Sequence, residues 1–418
     1  MDIKSGTETL RQDPKIRTTV YHDREICPEG LQPFLYQTAK GTLIVQCQTP
    51  GQAKNSRRVN YPADRKTYIS WDDGETFERF IFEEGRDDPF FEAGSLTLAD
   101  GRFFFMDNYV VSDPEEPKEH AIGESWWTTD EFKTLTGPVY NRFYLPDIDF
   151  YCSSDDAGRT SAQGSTQLHR SMVQLPNGDI LATIYGHFLE DKAPASYEPH
   201  MMKTRSWIVA SSDGGKTFAT RSVIAVDDGI GTEGFGEPAM VRISHGLHEG
   251  RLLCVMRTGR DLYEAHSDDD GYTWSVFRCM HFDGIDIYDI NKWRDRFEGK
   301  YENVNVHRRS LSGAFVDPDL LEMKNGLIVL SFGVRIPAQL NWKDPAIPNN
   351  GVYCAISADG GETWSHLIRI MGGKLTTHYT SVREARNGDI LFAYDVGAWG
   401  SKDRGGRMCR IQVEYENN

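Results

Sequence analysis

Apolar and polar positions along the chain recur as one paired unit: an apolar run, a short glycine turn and a second apolar run. The unit appears as PFLYQTAKGTLIVQC, GSLTLADGRFFFMDN, RSMVQLPNGDILATIYG, PAMVRISHGLHEGRLLCVMR, PDLLEMKNGLIVLSFGVR and TSVREARNGDILFAYD. Its turn glycines are Gly41, Gly101, Gly178, Gly250, Gly326 and Gly388. Short runs rich in β-branched and aromatic residues, bounded by turn residues, predict strands, and each pair predicts a hairpin.

A second repeat follows most of these hairpins. Octapeptides of the form S-x-D-x-G-x-T-[FW] read SWDDGETF from Ser70, SSDGGKTF from Ser211, SDDDGYTW from Ser267 and SADGGETW from Ser357. A degenerate fifth copy is expected at Ser125–Phe132. Ser and Asp side chains bond nearby amides, glycine takes the left-handed position and the aromatic ring packs beneath, which is the chemistry of a tight hairpin turn. Glycine hairpins alternating with octapeptide hairpins make six four-stranded units, and such units read as propeller blades. The expected fold is all-β: a six-bladed β-propeller with four-stranded antiparallel blades, one domain over residues 1–418.

Strands alternate in direction within a unit, so the glycine turns and the octapeptides share one face. The long connections, roughly residues 49–66, 109–123, 138–165, 187–204, 275–312 and 336–350, then all fall on the other face. Long irregular loops on a rigid scaffold are where binding concentrates. A short helix is expected within the fifth of them, around Asn291–Phe297.

Nine positions before the turn glycine, five units carry a polar residue at the start of the first strand: Gln32, Glu92, His169, Asp317 and Tyr379. Glu237 is the equivalent in the fourth, whose turn is longer. Second strands end in another polar set, Gln48, Asn108, Tyr185, Arg257 and Asp395, with His187 and Arg335 two positions further on and facing the same way. Carboxylates, histidines, tyrosines and arginines around one mouth suit carbohydrate or uronate chemistry. Neither a dinucleotide fingerprint nor a P-loop occurs in a strand-to-helix context, no spacing suggests a metal site, and no cofactor is expected.

Composition narrows the partners. The formal charge of -16 over 418 residues argues against nucleic acid and anionic membrane surfaces. No apolar run reaches the roughly 18 residues of a spanning helix, so no membrane insertion is expected. The start, MDIKSGTETLRQD, lacks an apolar signal core. Seven scattered cysteines without a CxxC pair predict reduced, mostly buried thiols. The expectation is a cytoplasmic protein, or a secreted or periplasmic one if a signal peptide was removed.

On its octapeptides, known there as Asp boxes, the chain resembles the sialidase superfamily over nearly its whole length. The resemblance implies a Tyr nucleophile activated by a carboxylate, a separate acid, and an arginine triad that clamps a sugar carboxylate. Tyr379-Thr380-Ser381 leading to Asn387-Gly388 resembles the nucleophile motif and implies Tyr379. GEPAMVRISHGLHEGRLLCVMR implies Glu237 as its base and Arg257 as a triad arginine, with Arg335 as a second. Asp64, six residues before the first octapeptide, matches the acid. Where the family opens its first blade with Arg-Ile-Pro, this chain has Leu31-Gln32-Pro33, so that arginine is absent; Arg24, Arg58 and Arg170 are possible replacements.

The leading expectation is an exo-acting glycoside hydrolase cleaving a terminal, acidic sugar. Tyr379, Glu237 and Asp64 are its catalytic candidates. Arg257, Arg335, His169, Arg170, Asp317, Glu92, Gln32, Tyr185 and His187 are its substrate-binding candidates. One alternative is a lyase or unusual glycosidase on a uronate- or rhamnose-containing glycan, working through His169, Arg170, Tyr185, His187 and Arg205. The other is a carbohydrate-binding propeller without catalysis.

Overall fold

A computed structural model describes residues 2–51, 64–84, 88–89, 94–150, 165–196, 201–288, 312–338, 340–342 and 344–416. The helix expected at 291–297 lies outside these residues. Within them the chain is all-β, with a single three-residue 3-10 turn assigned at Gly246–His248. None of the described helices is long and apolar enough to cross a membrane.

Strands follow one another in antiparallel groups. The first comprises Leu31–Gln37, Leu43–Thr49, Asp64–Ser70 and Glu78–Phe80. The second comprises Ser95–Thr97, Phe103–Met106, His120–Thr128 and Thr136–Tyr144, with Tyr109–Ser112 inserted as a hairpin partner of His120–Thr128. The third is Ser165–Gln174, Ile180–Gly186, Arg205–Ser211 and Thr217–Ala225, and the fourth Gly236–Arg242, Leu252–Arg257, Leu262–Ser267 and Arg278–Cys279. The fifth, Ala314–Glu322, Ile328–Arg335, Gly351–Ser357 and His366–Gly372, gains Glu8–Arg11 at its outer edge. The last contains Thr380–Glu384, Ile390–Val396 and Gly405–Tyr415, and its outer strand is Ile16–Val20 from the other end of the chain, paired Ile16 to Tyr415. That closure was not anticipated from the sequence.

First strands stand beside one another. Ser165–Gln174 meets Gly236–Arg242, which meets Ala314–Glu322, then Thr380–Glu384, then Leu31–Gln37. Leu31–Gln37 and Ser165–Gln174 both reach Ser95–Thr97. The apolar core is correspondingly divided: among the described residues it forms six clusters, each shared by two consecutive groups. Second strands such as Leu43–Thr49 and Leu252–Arg257 are buried at every position, which explains their largely apolar runs.

The octapeptide turns are built alike. Ser70 Oγ donates to Asp72 Oδ1 at 2.8 Å and accepts the Gly74 N–H at 2.9 Å, while Asp72 also takes the Thr76 N–H and hydroxyl at 2.9 and 2.6 Å. The same four bonds recur in the turns from Ser211, Ser267 and Ser357. Gly74 has φ +83°, and a Cβ there would lie 2.6 Å from Met408 Cε in the adjoining group; glycine here serves both the turn and the sheet contact.

The degenerate copy lies at Thr128–Leu135, not Ser125–Phe132. Thr128 and Asp130 take the Ser and Asp roles, with Thr134 bonding Asp130 through both its N–H and hydroxyl. Phe132, at φ +70°, occupies the glycine position and buries its ring. The shift follows from the bonding: Asp and Thr define the register, not the flanking Ser and aromatic.

Burial would raise the Asp72 carboxyl, but the Thr76 and Ser70 bonds outweigh it and hold it at about 2. A carboxyl lowered on folding stabilises above its unfolded value of about 3.9 and loses that contribution as pH falls toward about 2. Asp72→Asn is expected to lower stability by about 1 kcal/mol at pH 7, with the difference from wild type vanishing near pH 2 in thermal unfolding followed against pH.

Candidate active site

Several first strands open on a β-bulge. Register breaks between Leu31 and Phe34, Leu168 and Met172, Gly236 and Ala239, and Val316 and Asp319. Within them Gln32, Arg170, Glu237 and Asp317 take φ of 52, 62, 44 and 48°, and His378, just ahead of Thr380–Glu384, takes 71°. Gln32, Glu237 and Asp317 each precede a proline, which ordinarily favours extended backbone. Bulges re-aim side chains, and left-handed non-glycine residues store strain that the surroundings must hold. The Gln-Pro, Glu-Pro and Asp-Pro dipeptides are the sign of these bulges in the sequence, one that strand-start offsets do not carry.

Tyr379 and Glu237, from the last and fourth groups, meet directly. The tyrosine hydroxyl donates to Glu237 Oε1 at 2.6 Å. Arg257 Nη1 donates to both Glu237 oxygens at 2.9 Å, and its Nη2 donates to both oxygens of Glu233 at 2.8 and 2.6 Å. Burial would raise Glu237, but Arg257 and the tyrosine hydroxyl outweigh it and hold the carboxyl at about 2. Burial and the adjacent Glu237 charge push Tyr379 well above its usual value. In the resting site the proton therefore sits on the tyrosine, poised over an ionised acceptor.

Arg335 is half-buried close to this pair. It donates to the Thr377 carbonyl at 2.9 Å and lies 5.5 Å from the centre of the Trp342 ring. Burial and the Arg257 charge lower its pKa, a lowering that an anion at this point would reverse. His378, not singled out from sequence, lies buried behind Tyr379, bonded through Nε2 to Asn350 at 3.0 Å and edge-on to Trp342. Glu233 was likewise missed, being one acidic residue in an unremarkable loop.

Beneath the pair lies a charged floor. Arg170 and Asp317 have no exposed side-chain surface and are ion-paired. Arg170 also donates to Ser381 Oγ at 3.1 Å and the Thr380 carbonyl at 2.7 Å, lies 3.6 Å from Asp319 and covers the Phe34 ring at 4.2 Å. Burial opposes its charge, but Asp317 and Asp319 outweigh it and raise the guanidinium's pKa. His169 stands 3.8 Å from Asp317, edge-on to Phe34 and Tyr185. Burial depresses it to about 3, so it is neutral.

The remaining candidates are spread around this centre. Gln32 accepts from the Gln48 side chain, and its backbone N–H donates to Asp395 at 2.7 Å. Tyr185 donates to Gln167 at 2.5 Å. His187 is buried and bonded to the Met202 carbonyl at 2.9 Å, while Arg205 is engaged by Asp191 and Glu190 and covers Phe188. Those two are occupied in local packing, unlike Tyr379 and Glu237. Asp64 heads the third strand of the first group, opposite Thr49, and accepts the Arg65 N–H at 2.8 Å. Its end of the group is that of Gln32 and Gln48, since Leu31 pairs with Gln48 and Gln48 with Arg65. Glu92 and Arg58 lie outside the described residues.

No protein-family model matches the chain, and no curated protein matches it. Solved structures do. A Dyadobacter fermentans protein of unknown function is 16% identical, with 96% of this chain and 100% of that one covered at a TM-score of 0.63. The Penicillium chrysogenum α-L-arabinanase is 11% identical over 94% of this chain and 98% of its own, at 0.54. The Streptococcus pneumoniae NanB sialidase is 10% identical over 92% and 69%, at 0.50. At these identities the likeness is one of fold, and it is to propeller glycosidases.

Arg170→Met is expected to destabilise by roughly 3–5 kcal/mol, because it strands buried carboxylates without their cation. Urea unfolding at neutral pH measures this.

Proposed function

We propose that the chain is a six-bladed propeller glycosidase, one domain over residues 1–418, acting on the terminal sugar of a glycan. Six interlocking apolar clusters, the side-by-side first strands and the repeated octapeptide turns support the architecture. The observation that carries the function is the Tyr379–Glu237 hydrogen bond of 2.6 Å, backed by Arg257. A closed floor of Arg170, Asp317 and Phe34 favours entry of a chain end, hence exo action.

In this reading Tyr379 Oη attacks the anomeric carbon as the bond to the leaving oxygen breaks. Its proton passes to Glu237, and Asp64, at the same end as Gln32, protonates the leaving oxygen. Water then attacks the anomeric carbon, giving a proton to Asp64 as the bond to Tyr379 Oη breaks and Glu237 returns its proton to that oxygen, so the anomeric configuration is retained. Arg257 and Arg335 offset the charge that develops as the phenol loses its proton. A substrate group that draws Arg257 toward itself would raise the basicity of Glu237 at the moment it is required.

Tyr379→Phe keeps the ring against Phe34 and removes the nucleophile. It is expected to abolish release of nitrophenol across a panel of aryl α-L-arabinofuranosides and α-sialosides, with unfolding unchanged. Glu237→Gln should lower kcat by about 10²–10⁴-fold. Near-normal turnover in Tyr379→Phe would rule out the assignment.

A further inference from the structure

Arg257 is held between two carboxylates, and only one belongs to the nucleophile pair. Its Nη1 edge faces Glu237 and its Nη2 edge is closed by both oxygens of Glu233. A guanidinium so paired has little left to offer an incoming carboxylate, because bidentate pairing is the interaction such a group would need.

Glu233 is not a side chain that happens to lean on a neighbour. Its N–H donates to the Thr258 carbonyl at 3.1 Å, and its own carbonyl accepts from the Thr204 N–H at 2.8 Å and hydroxyl at 3.2 Å. Thr232, just before it, also bonds the Thr258 carbonyl at 2.8 Å. Gly259, at φ +75°, leaves the space that the Glu233 stem fills: a Cβ there would lie 2.9 Å from Glu233 Cγ. Backbone bonds on both sides and a reserved space set the carboxylate against Arg257.

Charge agrees with this placement. Around Tyr379 the described residues contribute the cations Arg257 and Arg335 and the anions Glu233 and Glu237, while Asp317 beneath is offset by Arg170. His169 and His378 are buried and neutral. Leu31, buried and apolar, stands where the sialidase resemblance calls for an arginine, and Gln32 beside it is an uncharged amide bonded to Gln48. A site without net positive charge does not attract an anionic sugar.

We propose that Glu233 is a built-in stand-in for a substrate carboxylate, so that the pocket selects uncharged terminal sugars over carboxylated ones. This rests on the reading of the pocket as a sugar site, and it replaces the acidic sugar expected from sequence. A carboxylated sugar would have to break a two-oxygen pair at Arg257 before gaining one.

The test uses binding and not turnover, so it does not share the fate of the nucleophile assignment. Glucuronic acid, N-acetylneuraminic acid and their uncharged methyl esters are titrated calorimetrically into wild type, Glu233→Gln, Glu233→Ala and Glu233→Gln/Arg257→Gln. Wild type is expected to bind each uncharged ester more tightly than its acid. Glu233→Gln should acquire a preference of roughly tenfold or more for at least one acid, and the double variant should lose it. Glu233→Ala gives a second reading if the glutamine variant unfolds, and wild type provides one that needs no variant. An acid preference already present in wild type, or none gained in either single variant, overturns the proposal. Failure of the Tyr379–Glu237 assignment, by contrast, would show only in the aryl-glycoside assay.

Discussion

The interaction on which most of the architecture depends is the burial of the Arg170 guanidinium at the junction of the first strands. It departs from a strand of the third group, pairs with Asp317 and Asp319 of the fifth, bonds Thr380 and Ser381 of the last and covers Phe34 of the first. Ser381 extends the link by accepting the Leu35 N–H at 3.1 Å. Burying a cation is costly unless its donors are met on every side, so these groups are held to one mutual arrangement. Apolar contact between neighbouring sheets is tolerant of sliding. A planar fork with fixed acceptors is not, and it sets the level at which the strands align.

That level determines where chemistry can occur. At the fork and beside it, bulges hold Gln32, Glu237 and Asp317 in left-handed backbone, against the preference of residues before proline. The strain is tolerable because the buried Arg170 pairs hold the surrounding strands in place. Tyr379 approaches Glu237 from an element two groups away, and their 2.6 Å contact exists only while the fork holds those groups in place. Electrostatics then divides the site: Arg170 neutralises the floor, while Arg257 lowers Glu237 and is itself shared with Glu233.

The parts legible in the sequence were those encoded locally. Glycine hairpins and Ser-Asp-Gly-Thr turns depend on residues within eight positions of one another, so Gly41 or Asp213 can be read in place. Tyr379 and Glu237 were reachable because strand-start offsets carry facing information, and the structure brings them together. Arg170 defeats the same method. A one-residue shift within a bulge sends it down into the floor, although it adjoins His169 in sequence. Glu233 depends on Thr204, Thr258 and Gly259, residues brought together only by folding. The turn at Thr128–Leu135 was misaligned because Phe132 fills a position that glycine marks elsewhere.

The pairing of Ile16–Val20 with Gly405–Tyr415 has a consequence for how the molecule comes into being. The two strands lie far apart in sequence, so this sheet cannot be completed until Gly405–Tyr415 has been synthesised. Until then Ile16 and Val20, buried in the finished fold, belong to a strand awaiting its partner, an edge able to pair with another chain. Contacts of such long sequence separation form late and slowly. Completion of that sheet is therefore a clasp between two segments remote in the polypeptide, and the waiting edge is where pairing with another chain competes with folding.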